Sequence, residues 1–115
     1  MILRERTGRP RRAKASAMYV LEVMSGPLDG KRWSFEDEIT IGRDDAVASA
    51  CITIDRYISR KHARLYEEQD GTLRLADLAS RNGTRVGGRS LAEPEAIDVG
   101  QTFVVGRTTL RVTKG

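Results

Sequence analysis

Ser59 and His62 share the run Ser59-Arg60-Lys61-His62-Ala63, and their types alone admit two chemistries. A serine close to a histidine, with Asp55 or Asp77 as a third member, has the composition of a hydrolytic triad. A serine hydroxyl beside arginines is instead suited to an anion rich in acceptor oxygens. The triad fails on context, because Ser59 lies outside any Gly-x-Ser-x-Gly elbow and no segment offers an oxyanion hole. His62 is the only histidine and Cys51 the only cysteine, which excludes an internal disulfide and a cysteine-based metal site. Neither catalysis nor a cofactor or metal is expected. Two further clusters carry polar side chains suited to binding, Gly42-Arg43 and Ser80-Arg81-Asn82-Gly83-Thr84. Arg43 offers a planar donor fork, and Asn82 offers the donor and acceptor that complement a peptide backbone.

Such residues need a scaffold, and the chain from Tyr19 onward reads as short strands separated by turn signals. Tyr19–Met24 and Lys31–Phe35 flank the turn Ser25–Gly30. Glu38-Ile39-Thr40-Ile41-Gly42 alternates with period two, which puts Ile39 and Ile41 on one face and Arg43 at the mouth of a loop. Ile52 and Ile54 follow as a further strand-like pair, and Cys51 before them is expected to be a small core residue. Ala63–Glu68 and Thr72–Leu78 flank the turn at Gln69-Asp70-Gly71, and Gly87-Gly88 accepts the positive φ angles of a tight hairpin. Thr102–Val105 and Thr108–Val112 close the domain. No helix-period stretch of useful length occurs, so the pattern is that of an all-β sandwich with its loops collected at the ends.

Gly42-Arg43, Ser59-Arg60-Lys61-His62-Ala63 and Ser80-Arg81-Asn82-Gly83-Thr84, in this order on an all-β pattern, resemble the forkhead-associated (FHA) domain family over roughly residues 19–113. The resemblance implies an eleven-stranded sandwich of two antiparallel or mixed sheets, with no catalytic activity, whose end loops bind a phosphothreonine peptide. It also implies roles. Arg43 and Ser59 match the phosphate-contacting arginine and serine, Arg60 and Arg81 stand as further phosphate contacts, and Asn82 matches the asparagine that holds the peptide backbone. Gly42, His62 and Gly83 are implied to be structural, with His62 holding the binding loop through hydrogen bonds. Tyr57 falls where relatives vary a residue that reads the third position after the phosphothreonine, and Lys61 is expected to point into solvent. A phosphothreonine carries about −1.5 to −2 charges and three acceptor oxygens, which suits these cations and hydroxyls. Two departures from the family pattern are visible, at Cys51 and at Gly87, and neither removes a phosphate donor.

The formal charge of +4 is uneven: residues 1–17 hold six Lys or Arg and one acid, which leaves fourteen basic and fifteen acidic residues in 18–115. The body is close to neutral, so nucleic-acid binding is not expected except through the tail. Residues 1–17 read as a basic, disordered leader before a domain at 18–115, with Met18 an alternative start. No stretch approaches the roughly 20 apolar residues of a membrane span, and no signal region follows the leading arginines, so a cytoplasmic protein with no membrane partner is expected. The expected partners are phosphothreonine-containing substrates of a serine/threonine kinase. The alternatives are a phosphate-independent interaction module and a self-binding switch at Thr7.

Overall fold

The computed structural model describes residues 18–115, so the expected leader at 1–17, with Thr7, lies outside the described residues. The eleven strands are β1 (Tyr19–Val23), β2 (Arg32–Phe35), β3 (Glu38–Gly42), β4 (Ala50–Cys51), β5 (Ala63–Glu67), β6 (Leu73–Asp77), β7 (Thr84–Val86), β8 (Arg89–Ser90), β9 (Glu95–Ala96), β10 (Thr102–Val105) and β11 (Thr108–Lys114). They form a six-stranded sheet in the order β2-β1-β11-β10-β7-β8 and a five-stranded sheet in the order β4-β3-β5-β6-β9. Period-two alternation generates the core directly. Tyr19, Leu21 and Val23 of β1, Phe103 and Val105 of β10, and Leu110 and Val112 of β11 are buried; so are Ile39 and Ile41 of β3, Leu65 of β5, and Leu73 and Leu75 of β6 in the other sheet. Tyr19 and Phe35 stack with ring centroids 5.3 Å apart where β1 meets β2.

Gly87 and Gly88 both adopt positive φ, 59° and 82°, and join β7 to β8 in the two-residue hairpin expected for that pair. The segment after Ala50 differs from expectation. β4 ends at Cys51, and Ile54 is 57% exposed rather than part of a strand on the core. The chain leaves the sheet because Asp55 turns inward: Oδ2 accepts the Arg107 amide and the Thr108 hydroxyl, each at 2.7 Å. Cys51 is likewise half-buried rather than a core residue. It lies on the edge strand β4, with its Sγ 3.5 Å from the Arg43 carbonyl.

β4 runs parallel to β3, whereas β5 pairs antiparallel on the other side of β3. The β3–β4 and β4–β5 loops therefore emerge together beside the end of β3. The loop from β6 to β7, which crosses between the sheets, comes to the same place.

Candidate functional site

Gly42 brings the first two loops into contact. A Cβ at this position would overlap the Arg60 carbonyl oxygen and lie 2.9 Å from its carbon and 3.1 Å from Ala48 Cβ. The bare backbone lets the Arg43 amide sit 3.1 Å from both the Ser59 and Arg60 carbonyls, a shared hydrogen bond that locks one loop to the other. Arg43 itself is exposed, and its Nε donates to the Ile58 carbonyl at 2.9 Å. Asp44 does not pair with Arg43. Its Oδ2 takes Arg60 Nη2 at 2.8 Å and Nε at 3.1 Å. The Ala46 amide and the Arg60 guanidinium together hold the Asp44 carboxyl below its ordinary range.

His62 is fully buried and joins the second loop to the third. Its Nδ1 accepts the Ser59 amide at 2.9 Å, so the ring is the Nε2–H tautomer, and Nε2 donates to the Gly83 carbonyl at 2.9 Å. The imidazole faces the Ser59 backbone, not its hydroxyl, so the two do not form a catalytic pair. Ser59 Oγ instead accepts the Arg81 amide at 2.9 Å, which leaves the hydroxyl proton free to donate elsewhere. Asn82 Nδ2 donates to the Tyr57 carbonyl at 2.8 Å, which leaves its Oδ1 and second N–H for a ligand.

The β6–β7 loop turns through two left-handed residues, Ala79 at φ 56° and Gly83 at φ 83°. Asp77 organises it. Oδ1 accepts the Ser80 hydroxyl at 2.5 Å and the Thr84 hydroxyl at 2.7 Å, and Oδ2 accepts the Ser80 amide at 3.0 Å. Partial burial pushes the Asp77 carboxyl up, but the hydrogen bonds from Ser80 and Thr84 outweigh it, and the carboxyl ends below its ordinary value. A lowered folded-state value means that this stabilisation is complete above the unfolded carboxylate range. It is lost as pH falls through the folded value. Thermal melts at about pH 7 and about pH 3 are expected to show an acid-induced drop in the parent protein and a smaller one in Asp77→Asn. Equal drops would contradict the assignment.

Together these contacts shape an open cleft of about 370 Å³, lined by Arg43, Arg56, Tyr57, Ile58, Ser59, Arg60, Lys61, Arg81 and Asn82. Five of the nine are cations and none is an acid, so the cleft is built to attract an anion. All six candidate ligand contacts, Arg43, Tyr57, Ser59, Arg60, Arg81 and Asn82, meet there, with Gly42, His62 and Gly83 beneath or beside it. Lys61 is exposed, in keeping with the expectation that it points into solvent, and it also lines the open cleft. Arg56 was not singled out from the sequence, though its place beside Tyr57 was the available signal. Among the described residues no group of three or more His, Cys, Asp or Glu is placed to hold a metal. No helix there is long and apolar enough to cross a membrane.

Comparison with known proteins agrees with this architecture. An FHA domain model matches residues 39–106. The FHA domain of the CT664 protein from Chlamydia trachomatis superimposes with a TM-score of 0.76 at 26% identity, over 84% of this chain and 96% of that one. The FHA domain of an Arabidopsis thaliana hypothetical protein gives 0.76 at 25% identity, over 85% and 86%. A third structure, from a study of phosphothreonine-dependent FHA domain interactions, gives 0.72 at 24% identity, over 84% and 95%, and shares the fold. A comparison with curated protein sequences finds no match. With the family model spanning most of the sandwich and the three motif loops meeting at one cleft, the chain belongs to the FHA domain family.

Proposed function

We propose that this protein is a phosphothreonine-binding adaptor that docks phosphorylated substrates of a serine/threonine kinase through the cationic cleft. One observation carries the reading. Ser59 Oγ already accepts the Arg81 amide, so its proton is available as a donor, and it stands among five cations with no carboxylate in the lining. Phosphate supplies only acceptors, and this lining supplies donors. In this reading Arg43 and Ser59 hold the phosphate, with Arg60 and Arg81 as auxiliary contacts. Asn82 holds the peptide backbone, and Tyr57 meets a residue beyond the phosphothreonine. Arg60 acts alongside Asp44, whose carboxylate fixes its guanidinium at the edge of the cleft. The third structure's phosphothreonine-dependent interactions support extending this chemistry to the present chain. Binding is a property of residues 18–115, with 1–17 a leader, and such an adaptor works in the cytoplasm alongside its kinase.

Calorimetry with paired phosphothreonine and unphosphorylated peptides tests the reading. Affinity near about 1 μM, or about −8 kcal/mol, is expected for the phosphorylated member alone. Equal binding of both members would establish a phosphate-independent module instead. Ser59→Ala is expected to weaken phosphopeptide binding about tenfold by removing one hydrogen bond to a charged group. The same titration measures it.

A further inference from the structure

We propose that Asn82-Gly83 is a site of spontaneous deamidation, that two hydrogen bonds of the folded loop hold the reaction back, and that deamidation switches the cleft off. The loss of binding rests on reading the cleft as the phosphothreonine site; the reaction itself does not. Asn82 is exposed, and the residue after it has no side chain to shield its backbone nitrogen. The chemistry needs only these two residues and water. The Gly83 nitrogen gives up its proton to solvent base and bonds the Asn82 Cγ; the Cγ–Nδ2 bond breaks, and Nδ2 takes up a proton and leaves as ammonia. Water then opens the resulting cyclic imide at either carbonyl, giving aspartate or isoaspartate at position 82. Ammonia leaves and water enters, with no oxidant or reductant involved.

The cleft favours this reaction. Its lining holds five cations and no acid, and cations stabilise the negative nitrogen and oxygen that form on the way. The loop opposes it. Asn82 Nδ2, the leaving group, donates to the Tyr57 carbonyl at 2.8 Å. The Gly83 amide, the nucleophile, donates to Ser80 Oγ at 2.9 Å, while the Gly83 carbonyl bonds the buried His62 ring. Ser80 Oγ is in turn fixed by its own hydrogen bond to Asp77 Oδ1. Both restraints must break before Cγ and the nitrogen can meet.

Either product disables the site. Aspartate has no N–H for the Tyr57 carbonyl, and it sets a carboxylate in a lining that held none, against an incoming phosphate. Isoaspartate also adds a methylene to the backbone beside Gly83, which strains the link from Gly83 through His62 to Ser59. A bound peptide that engages Asn82 keeps its side chain away from the Gly83 nitrogen. Occupied protein is thereby preserved and empty protein ages.

The full chain is incubated at mildly alkaline pH, and the proteolytic peptide carrying residue 82 is followed by mass spectrometry. The parent protein is compared with the same chain in urea, with Ser80→Ala, and with Ser80→Thr, which keeps the hydroxyl. Conversion is expected in the folded parent, at least about tenfold slower than in urea, about fivefold faster in Ser80→Ala, and near the parent rate in Ser80→Thr. Melting temperatures verify that both variants are folded. A phosphothreonine peptide at about ten times its Kd is expected to slow conversion of the parent about tenfold. The urea and peptide comparisons need no substitution, so they decide even where Ser80→Ala is destabilised. Calorimetry on the deamidated fraction, separated by ion exchange, and on Asn82→Asp is expected to show binding at least about tenfold weaker. Equal rates in folded and urea-treated chain, or in parent and folded Ser80→Ala, overturn the restraint, and conversion unaffected by bound peptide overturns the protection. Asn82 staying intact in the folded parent, or unchanged phosphopeptide affinity after deamidation, overturns the switch. A parent protein that binds no phosphopeptide overturns the phosphothreonine reading instead, and the conversion rates then still decide whether the site reacts.

Discussion

Replacing Arg43 with alanine is expected to weaken phosphothreonine-peptide binding by at least about 30-fold, or about 2 kcal/mol, while leaving the fold intact. The two effects separate because different atoms serve them. The loop junction is made by the Arg43 amide, which bonds the Ser59 and Arg60 carbonyls and is retained in alanine. In the proposed function, binding depends on the guanidinium, whose Nε is anchored on the Ile58 carbonyl so that its remaining donors would meet a phosphate already oriented. That anchoring lowers the ordering cost of each hydrogen bond made to the ligand. Arg43→Lys keeps the charge and loses the fork, so it should recover only part of the affinity. Calorimetry on the three proteins, with melts as the control for folding, measures both effects. Unchanged affinity in Arg43→Ala would mean that partners are held by the sandwich faces rather than the cleft.

Gly42→Ala should act on the fold itself. Its Cβ has nowhere to go, since the overlapping atom is the backbone oxygen of Arg60 and not the end of a flexible side chain. Relief requires β3 and the β4–β5 loop to separate. That separation breaks the shared Arg43 amide bond and shifts Ser59, whose own amide is tied to buried His62. Overpacking costs about 1–3 kcal/mol where side chains can adjust, and a backbone collision stands at or above the upper end of that range. A cost of about 3 kcal/mol corresponds to a fall in melting temperature of roughly 12–24 °C for a domain of this size. Differential scanning calorimetry measures it, and a shift of only a degree or two would show that Gly42 is not the close-packed junction described above. Phosphopeptide affinity should fall together with stability in this variant, in contrast to Arg43→Ala, where only affinity falls.

Local sequence was informative wherever local chemistry decides the structure. Ile39 and Ile41 alternate on β3, and the structure buries both because a half-buried strand has no other way to satisfy that pattern. Gly87-Gly88 specifies its hairpin for a similar reason: few residue pairs accept two positive φ angles in succession. The candidate site was legible as three loop motifs because its side chains are polar groups in turns, where a packed core has no use for them.

What sequence could not supply was set by partners far along the chain. Ile54 continues the alternation begun at Ile52 yet ends exposed, because Asp55 is drawn to Arg107 and Thr108, 52 and 53 positions away. Arg60 and Asp44, 16 positions apart, pair only because Gly42 lets their loops touch. Lys61 and Arg56 join the cleft for the same kind of reason, once the loops are folded against one another. Residue types and turn chemistry thus established the sandwich and the kind of ligand its loops suit. Which donors face that ligand and which are tied to neighbouring loops depend on long-range contacts, which no pattern in a single chain encodes locally.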